Sequence, residues 1–192
     1  MDAILLQSLH PEALAAILWE MEWNVTGVVL RVGMHTEGPL AILGHQRIFE
    51  VPSKVSIQTI DMNLDGAQII ADGDVLHAAL LGDMAEKDRR EIIQRKNEDV
   101  LHTDKFPTCR FEASYLEAEN RLVGTLELHG IMAPCELPLV VSAKPIGFWA
   151  EGSRELDLRP FGIKPYRALL GAIKVAPSVT VSYSLAAKPA LT

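Results

Sequence analysis

The chain has 192 residues, 48% of them hydrophobic and 22% charged, which is the composition of one globular domain. Its 18 basic residues are outweighed by 25 acidic ones, and the formal charge of −7 argues against a nucleic acid or an anionic membrane surface as partner. The sequence contains no apolar run of about 18 residues, so we predict no membrane span.

The first 23 residues form a segment of their own. Leu14, Ile17, Leu18 and Met21 recur at the spacing of one helical face, which predicts an amphipathic N-terminal helix. We expect its apolar stripe to pack against the rest of the fold, with a lid over a cavity or a homodimer contact as alternatives. No basic residue precedes Arg31, so we predict no secretory signal peptide and a cytoplasmic location.

The first strand is predicted at residues 25–34, where Val28, Leu30 and Val32 share one face. A loop at 38–45 follows and ends in His45. No second histidine stands beside His45, so a hydrogen-bonded loop residue is a simpler interpretation than a ligand.

Two further strands are predicted at residues 49–61 and 68–81. The sequences Leu-Asp-Gly at 64–66 and Asp-Gly-Asp at 72–74 are typical of turns.

Residues 86–101 are rich in helix formers and predict a helix between strands. Its apolar anchors are Ile92, Ile93, Val100 and Leu101, and either Asp83 or Asp88 could cap its start. Four cations, Arg89, Arg90, Arg95 and Lys96, are most simply a solvated face. Contact of these cations with an anionic head group is the alternative.

The clearest pattern lies between residues 105 and 141 and predicts three antiparallel strands. In the first two, apolar or small residues alternate with polar ones, and the expected pairs are 115/122, 113/124, 111/126 and 109/128. Gly130 and Pro134 are expected in the next turn, and Leu137, Leu139 and Val141 continue the alternation. Pro138 gives up a ladder donor, which suits an edge or a bulge.

Two cysteines are predicted to be packing residues with free thiols. Cys109 and Cys135 fall two strands apart in this pairing, a separation of roughly 9–10 Å at the usual strand spacing. A disulfide requires Cα atoms within about 7 Å, so we expect none.

The C-terminal part predicts two more strands. Residues 147–158 alternate, and Arg154 falls on the apolar face. A charge there needs a partner, so either a bulge at Gly152 displaces it or it is a polar handle for a ligand. The second strand runs through Val179, Val181, Tyr183 and Leu185, and we expect it to pair with the first strand of the fold.

Several of these segments together resemble the YceI-like family. The segments are KFPTCRFEAS, VGTLELHGIMAPCELPL and IIQRKNEDVL, together with Phe-Gly-Ile at 161–163 and the valines at 175, 179 and 181, which resemble the family's closing strands. The resemblance is good over 82–185 and looser over 23–81. It implies a lipocalin-like antiparallel barrel whose lumen holds a long apolar chain, such as a polyisoprenoid or a fatty-acid derivative. The family often has an arginine and an acidic residue before the Phe-Gly-Ile, where this chain has Arg159 and Pro160.

Motifs of enzymes are missing from the sequence. It contains no GxGxxG, P-loop, HExxH, GxSxG or CxxC, and its six histidines show no ligand spacing. We therefore name no catalytic residue, no metal site and no cofactor, and we expect a binding protein rather than an enzyme.

These observations predict an all-β fold, an antiparallel lipocalin-like barrel of about eight strands with an N-terminal helix and one helix inserted between strands. The chain is expected to form one domain over 1–192, with a helical extension at 1–23 and the barrel at 24–187. The predicted function is non-covalent binding or carrying of a long-chain amphiphile in the lumen. The predicted ligand-binding residues are Phe111, Ala113, Tyr115, Leu126, Phe148, Ala150, Arg154, Leu156, Val181 and Tyr183.

Two alternatives to this function remain open. An enzyme acting on a lipid-like substrate would need a polar cluster in the lumen, for which Arg154 with Tyr115 or Tyr183 is the candidate. A structural or partner-binding module would have its barrel filled by side chains.

Overall fold

The computed structural model describes residues 20–37, 47–60, 62–168 and 173–190. Most of these residues lie in one twelve-stranded sheet, in which neighbouring strands run antiparallel. The strands are β1 (Glu20–Glu37), β2 (Arg47–Glu50), β3 (Ser53–Ile60), β4 (Gln68–Asp74), β5 (Ala79–Leu80), β6 (Thr108–Leu116), β7 (Arg121–Leu128), β8 (Ile131–Pro138), β9 (Val140–Ala143), β10 (Phe148–Asp157), β11 (Arg167–Ala168) and β12 (Ile173–Pro189). The fold is all-β, as predicted.

Helical structure is confined to short segments in the described part of the chain. Helix α1 (Glu86–Arg95) continues into a π-helical turn (Lys96–Val100), and two 3-10 turns span Glu117–Glu119 and Arg159–Phe161. The predicted inserted helix is confirmed. Its start follows Ala85 without a side-chain cap, so the predicted capping by Asp83 or Asp88 is wrong.

The order of hydrogen-bonded neighbours explains how the sheet curls. The path runs β8-β7-β6-β4-β3-β1-β12-β10-β9, and its two ends, β8 and β9, are separated in sequence by Leu139 alone. The amide of Leu139 donates to the carbonyl of Asn120 over 2.7 Å, at the turn between β6 and β7. If β8 and β9 are counted as one bent strand, this path contains eight strands, while the short strands β2, β5 and β11 lie off it. A curled sheet of eight strands fits a lipocalin-like barrel.

The predicted register of β6 and β7 is confirmed. Phe111 pairs with Leu126, and Tyr115 pairs with Leu122. Between these pairs, Gly124 lies opposite Ala113, and a Cβ on the glycine would come within 2.6 Å of the alanine Cα. The absence of a side chain therefore lets the two strands approach closely.

The longest ladder joins β1 and β12, as predicted. It extends from Trp23 opposite Pro189 to Glu37 opposite Lys174, with a bulge after Thr26. Strand β1 begins at Glu20 rather than at residue 25.

Met21, predicted as the last position of the N-terminal helix, lies in β1 and pairs with Thr59. The other positions of that helix lie outside the described residues, as do the loop at 38–45 and His45.

Five local predictions are corrected by the structure. The segment at 49–61 is divided at Pro52 into β2 and β3, and 68–81 is divided into β4 and β5. Residues 72–74 belong to β4 and not to a turn. Pro134 lies inside β8, which is tolerated because β8 ends the path of neighbours; the turn before it is made by His129 (φ 54°) and Gly130 (φ 72°). Residues 161–163 form a 3-10 turn and coil rather than a strand, with Phe161 and Ile163 buried.

Two apolar clusters lie at different ends of the curled sheet. The larger one includes Trp23, Tyr115 and Phe148. The smaller one is built on Phe49 and the residues around it, and Ile92 and Ile93 of α1 pack against it, as the predicted anchors should. Residues of both clusters line an internal cavity.

Candidate functional site

The inner face of the sheet surrounds a cavity of about 570 Å³. Its wall is made by apolar side chains of the strands together with α1 and the loop before β11. Several inward residues, among them Leu126, Leu156 and Val181, are only half-buried although their strands lie within the sheet. They are half-buried because they face empty space, and the cavity therefore weighs against a barrel filled by side chains.

One end of the cavity is closed by aromatic packing. The rings of Trp23 and Phe148 meet edge to face with centroids 5.0 Å apart. The indole nitrogen of Trp23 donates to Thr59 Oγ1 over 3.1 Å, which satisfies its buried donor. Tyr115 and Leu122 complete this end and are almost fully buried.

The opposite end, which we call the open end, is lined by positively charged residues that solvent reaches. Arg47 begins β2, Arg95 ends α1, and Lys164 lies in the loop before β11; all three line the cavity. The guanidinium of Arg95 lies 5.4 Å from the ring centroid of Tyr166 and 2.5 Å from a carboxylate oxygen of Glu91.

Lys96 lines the same end but is only 7% exposed. Its Nζ donates to the carbonyl of Val75 over 2.6 Å and lies 5.6 Å from the ring centroid of Phe49. Burial lowers the pKa of Lys96 to about 8, and the charge of Asp74 offsets this only in part. Lys96 is therefore a donor held at the wall of the cavity.

Eight of the ten predicted binding residues line the cavity. They are Phe111, Tyr115, Leu126, Phe148, Ala150, Leu156, Val181 and Tyr183. Ala113 is buried on the same face but packs against Gly124 without reaching the cavity. Whether these residues bind a ligand stays a prediction.

Arg154 does not line the cavity. The ladder between β10 and β12 is continuous from Phe148 to Asp157, so the predicted bulge at Gly152 is wrong. The guanidinium of Arg154 instead donates to the carbonyl of Glu136 in β8.

Tyr183, in β12, also contacts β8; we call this region, where Arg154 of β10 and Tyr183 reach β8, the seam. Its hydroxyl donates to the carbonyl of Pro138, and burial raises the pKa of Tyr183. Arg154 and Tyr183 thus come together, but both are engaged with backbone carbonyls. Tyr115 lies at the closed end, so the polar cluster that a lumenal enzyme would need is not assembled from these three residues.

Lys96 lines the cavity, although it was predicted to belong to a solvated face of the helix; a pattern in the sequence does identify it. Lys96 follows Ile92 by four residues and precedes Val100 by four, so the three lie on one helical face. Arg47 and Lys164 had no comparable pattern, because they lie outside the helix in segments whose position only the fold determines.

Both cysteines are free thiols, as predicted. Cys109 lines the cavity, and burial raises its pKa to about 11; burial also raises the pKa of Cys135. Both therefore stay protonated near neutral pH and are poor nucleophiles. Within the described residues, no group of three or more His, Cys, Asp or Glu side chains could hold a metal, and no helix has the length and apolar character needed to cross a membrane.

Comparison with solved structures gives matches to this fold. The crystal structure of Burkholderia cenocepacia BcnA superposes with a TM-score of 0.61 at 13% identity, covering 83% of this chain and 95% of that chain. A mutant CJ YceI protein with a monobromobimane guest gives a TM-score of 0.54 at 9% identity, covering 73% of this chain and 82% of that chain. At these identities the similarity supports the fold alone.

The sequence comparisons are more specific. The comparison with curated proteins gives no match. The family model described as "YceI-like domain" matches residues 83–187, more than half of the chain. The chain therefore belongs to the YceI-like family.

Proposed function

We propose that this protein binds one long-chain amphiphile non-covalently in its cavity and carries or sequesters it. The observation that supports the proposal most directly is the apolar cavity of about 570 Å³, which falls in the roughly 300–1,000 Å³ range of small-molecule sites. The YceI-like resemblance implies the same class of ligand.

The shape of the cavity favours one slender chain. Along β12 its lining runs from Val175 to Leu185, ten residues apart, which is roughly 30 Å at about 3.3 Å per residue. A volume of about 570 Å³ over that length gives a mean width of about 5 Å, close to the spacing of one extended chain in a sheet.

The available burial energy is sufficient for binding. If one methylene takes about the volume of one liquid water molecule, roughly 30 Å³, the cavity has room for roughly 19 such groups. Burying about 16 methylenes at ~0.8 kcal/mol each gives on the order of 13 kcal/mol, from which ~4 kcal/mol or more is lost on association. Micromolar affinity requires about 8 kcal/mol, so it is within reach.

The test is native mass spectrometry of the freshly purified protein, followed by organic extraction of any bound mass and by titration with hexadecanol and with a prenyl alcohol. We expect a single added mass that extracts as a lipid, or stoichiometric uptake of one of the two alcohols. Absence of both would contradict the proposal.

A matched pair of variants locates the binding. Ala71 lines the cavity from β4, whereas Ile70 points to the other face of the same strand. Ala71→Phe is expected to reduce uptake at least tenfold, and Ile70→Phe is expected to leave it unchanged. Equal uptake by the two variants, with far-UV circular dichroism showing both folded, would place the ligand outside the cavity.

A further inference from the structure

We propose that the open end of the cavity binds an acidic head group, a carboxylate or a phosphate, through the ammonium group of Lys96. This inference rests on the proposed function, because it concerns the polar end of the same ligand. It goes beyond that function by assigning the charge of the ligand and its orientation, with the apolar chain toward Trp23 and the acid at α1.

Lys96 is the residue that carries the inference. Lysine is rarely buried unless its charge is paired, yet Lys96 is 7% exposed and no carboxylate of the described residues lies within ion-pair distance of its Nζ. Its acceptors are two neutral carbonyls, of Val75 at 2.6 Å and of Leu76 at 3.4 Å. An ammonium group has three donors, so one donor remains for a ligand in the cavity that Lys96 lines.

The nearest acids to this end are already engaged. Asp72 is the carboxylate among the described lining residues, and it accepts from Arg110 Nη1 at 2.8 Å. Asp74 accepts from the backbone amide of His77 and lies 2.8 Å from its ring Nδ1. Neither forms an ion pair with Lys96, and the charge of Asp74 offsets the effect of its burial only in part.

The surrounding charges are consistent with an anion. Arg47, Arg95 and Lys164 line the same end, and no ion pair to Arg47 or Lys164 is formed within the described residues. A local excess of cations is not explained by composition, because the whole chain carries −7. An acidic head group would supply the missing counter-charge, and hydrogen bonds between ionised partners are about twice as strong as neutral ones.

A different role for Lys96 must be separated from this one. Its hydrogen bonds to the carbonyls of Val75 and Leu76 could simply hold the end of α1 against the loop after β4. A structural role of this kind would not distinguish an acid from an alcohol, which makes the head group the variable to change.

The experiment compares four ligands of one chain length at pH 7, where Lys96 is mainly protonated. Hexadecanoic acid, hexadecyl phosphate, hexadecanol and hexadecylamine are titrated by competition against a fluorescent lipid. We expect at least one of the two acids to bind at least tenfold more tightly than the alcohol, and the amine to bind most weakly. The stronger of the two acids identifies carboxylate or phosphate as the preferred group.

Variants assign the preference to Lys96. Lys96→Met should remove it while keeping alcohol binding, and Lys87→Met, on the exposed side of α1, should leave it intact. Lys164→Gln, which changes an exposed side chain on the rim, is expected to weaken the preference without affecting folding.

The outcomes separate the two proposals. Equal binding of acids and alcohol by the unmodified protein, or a preference that survives Lys96→Met, would overturn the head-group inference and leave the proposed function standing. Loss of alcohol binding together with acid binding in Lys96→Met would indicate the structural role instead. If none of the four ligands binds the unmodified protein, the head-group inference fails. The proposed function fails with it when, in addition, the purified protein carries no lipid and does not take up the prenyl alcohol.

Discussion

The length of the bound chain should be limited by the closed end of the cavity. Each added methylene gains about 0.8 kcal/mol when buried, which is roughly a fourfold increase in affinity. Room for roughly 19 methylene-sized groups in about 570 Å³ predicts that this gain continues through a series of primary alcohols and stops near C18 to C20. Between C10 and C16, a difference of six methylenes, the affinity should therefore rise by roughly four thousandfold.

A variant should move the point at which the gain stops. Val181 lines the cavity, and Val181→Phe adds four carbon atoms, which occupy about 120 Å³ at about 30 Å³ each. We expect the gain to stop about four methylenes earlier, near C14 to C16. Ser182→Phe places the same side chain on the outer face of β12 and is expected to reproduce the unmodified series.

The assay is displacement of a fluorescent lipid at alcohol concentrations below self-association, analysed as the slope of log Kd against chain length. Because each variant is measured with the same alcohols, differences in ligand solubility cancel in the comparison. A slope that shows no break up to C24, or a break at the same length in Val181→Phe, would refute a chain held end-on in this cavity. A series without any dependence on length would refute apolar burial as the source of affinity.

Three further predictions concern the protein without ligand. Burial lowers the pKa of Lys96 to about 8 in the folded state, against its usual 10.5 in the unfolded chain, so the unfolded state holds more protons between these pH values. The stability of the unmodified protein should therefore rise relative to Lys96→Met by up to about 3 kcal/mol from pH 8 to pH 10.5 in urea titrations. A constant difference would contradict this. Gly124→Val should lower the free energy of unfolding by at least about 2 kcal/mol in the same assay, because its Cβ would crowd Ala113. Tyr183→Phe removes the donor to the carbonyl of Pro138, so a loss of about 0.5–1.5 kcal/mol and faster amide exchange in β8 are expected, and unchanged exchange would show that the seam is held by other contacts.

The sequence predicted the fold where one periodicity determines both face and register. The pairs of Phe111 with Leu126 and of Tyr115 with Leu122 follow from alternation alone, because a shift by one residue would turn every apolar side chain outward. Alternation defines the face of a residue but not its neighbour. The alternation continues unchanged across Leu139, although the chain pairs with β7 before this residue and with β10 after it. The pattern therefore does not reveal the change of partner strand.

The prediction of a turn at 72–74 was wrong because a glycine can be required by a neighbouring strand as well as by a turn. Gly73 was interpreted as part of a turn, but it lies in β4 opposite Cys109, and a Cβ there would come within 2.8 Å of the cysteine Sγ. The glycine accommodates a neighbouring strand, and only the pairing reveals this. The prediction that Arg154 shares the face of the inward residues is correct. At this position, however, β8 lies beside that face, so the side chain contacts the carbonyl of Glu136 instead of the lumen.

The same reasoning explains why the apolar half of the candidate site was predictable and the polar half was not. Residues such as Phe111 and Val181 line the cavity because their strands alternate, a property that short stretches of sequence contain. The cations Arg47, Lys96 and Lys164 come from three separate segments and meet only when the sheet curls and α1 covers its end. In the proposed complex, strands recognise the chain of the ligand, whereas loops and a helix end recognise its head group. Many changes in the loops should therefore leave the apolar specificity of the protein intact. Its head-group preference could change with a few substitutions at the open end.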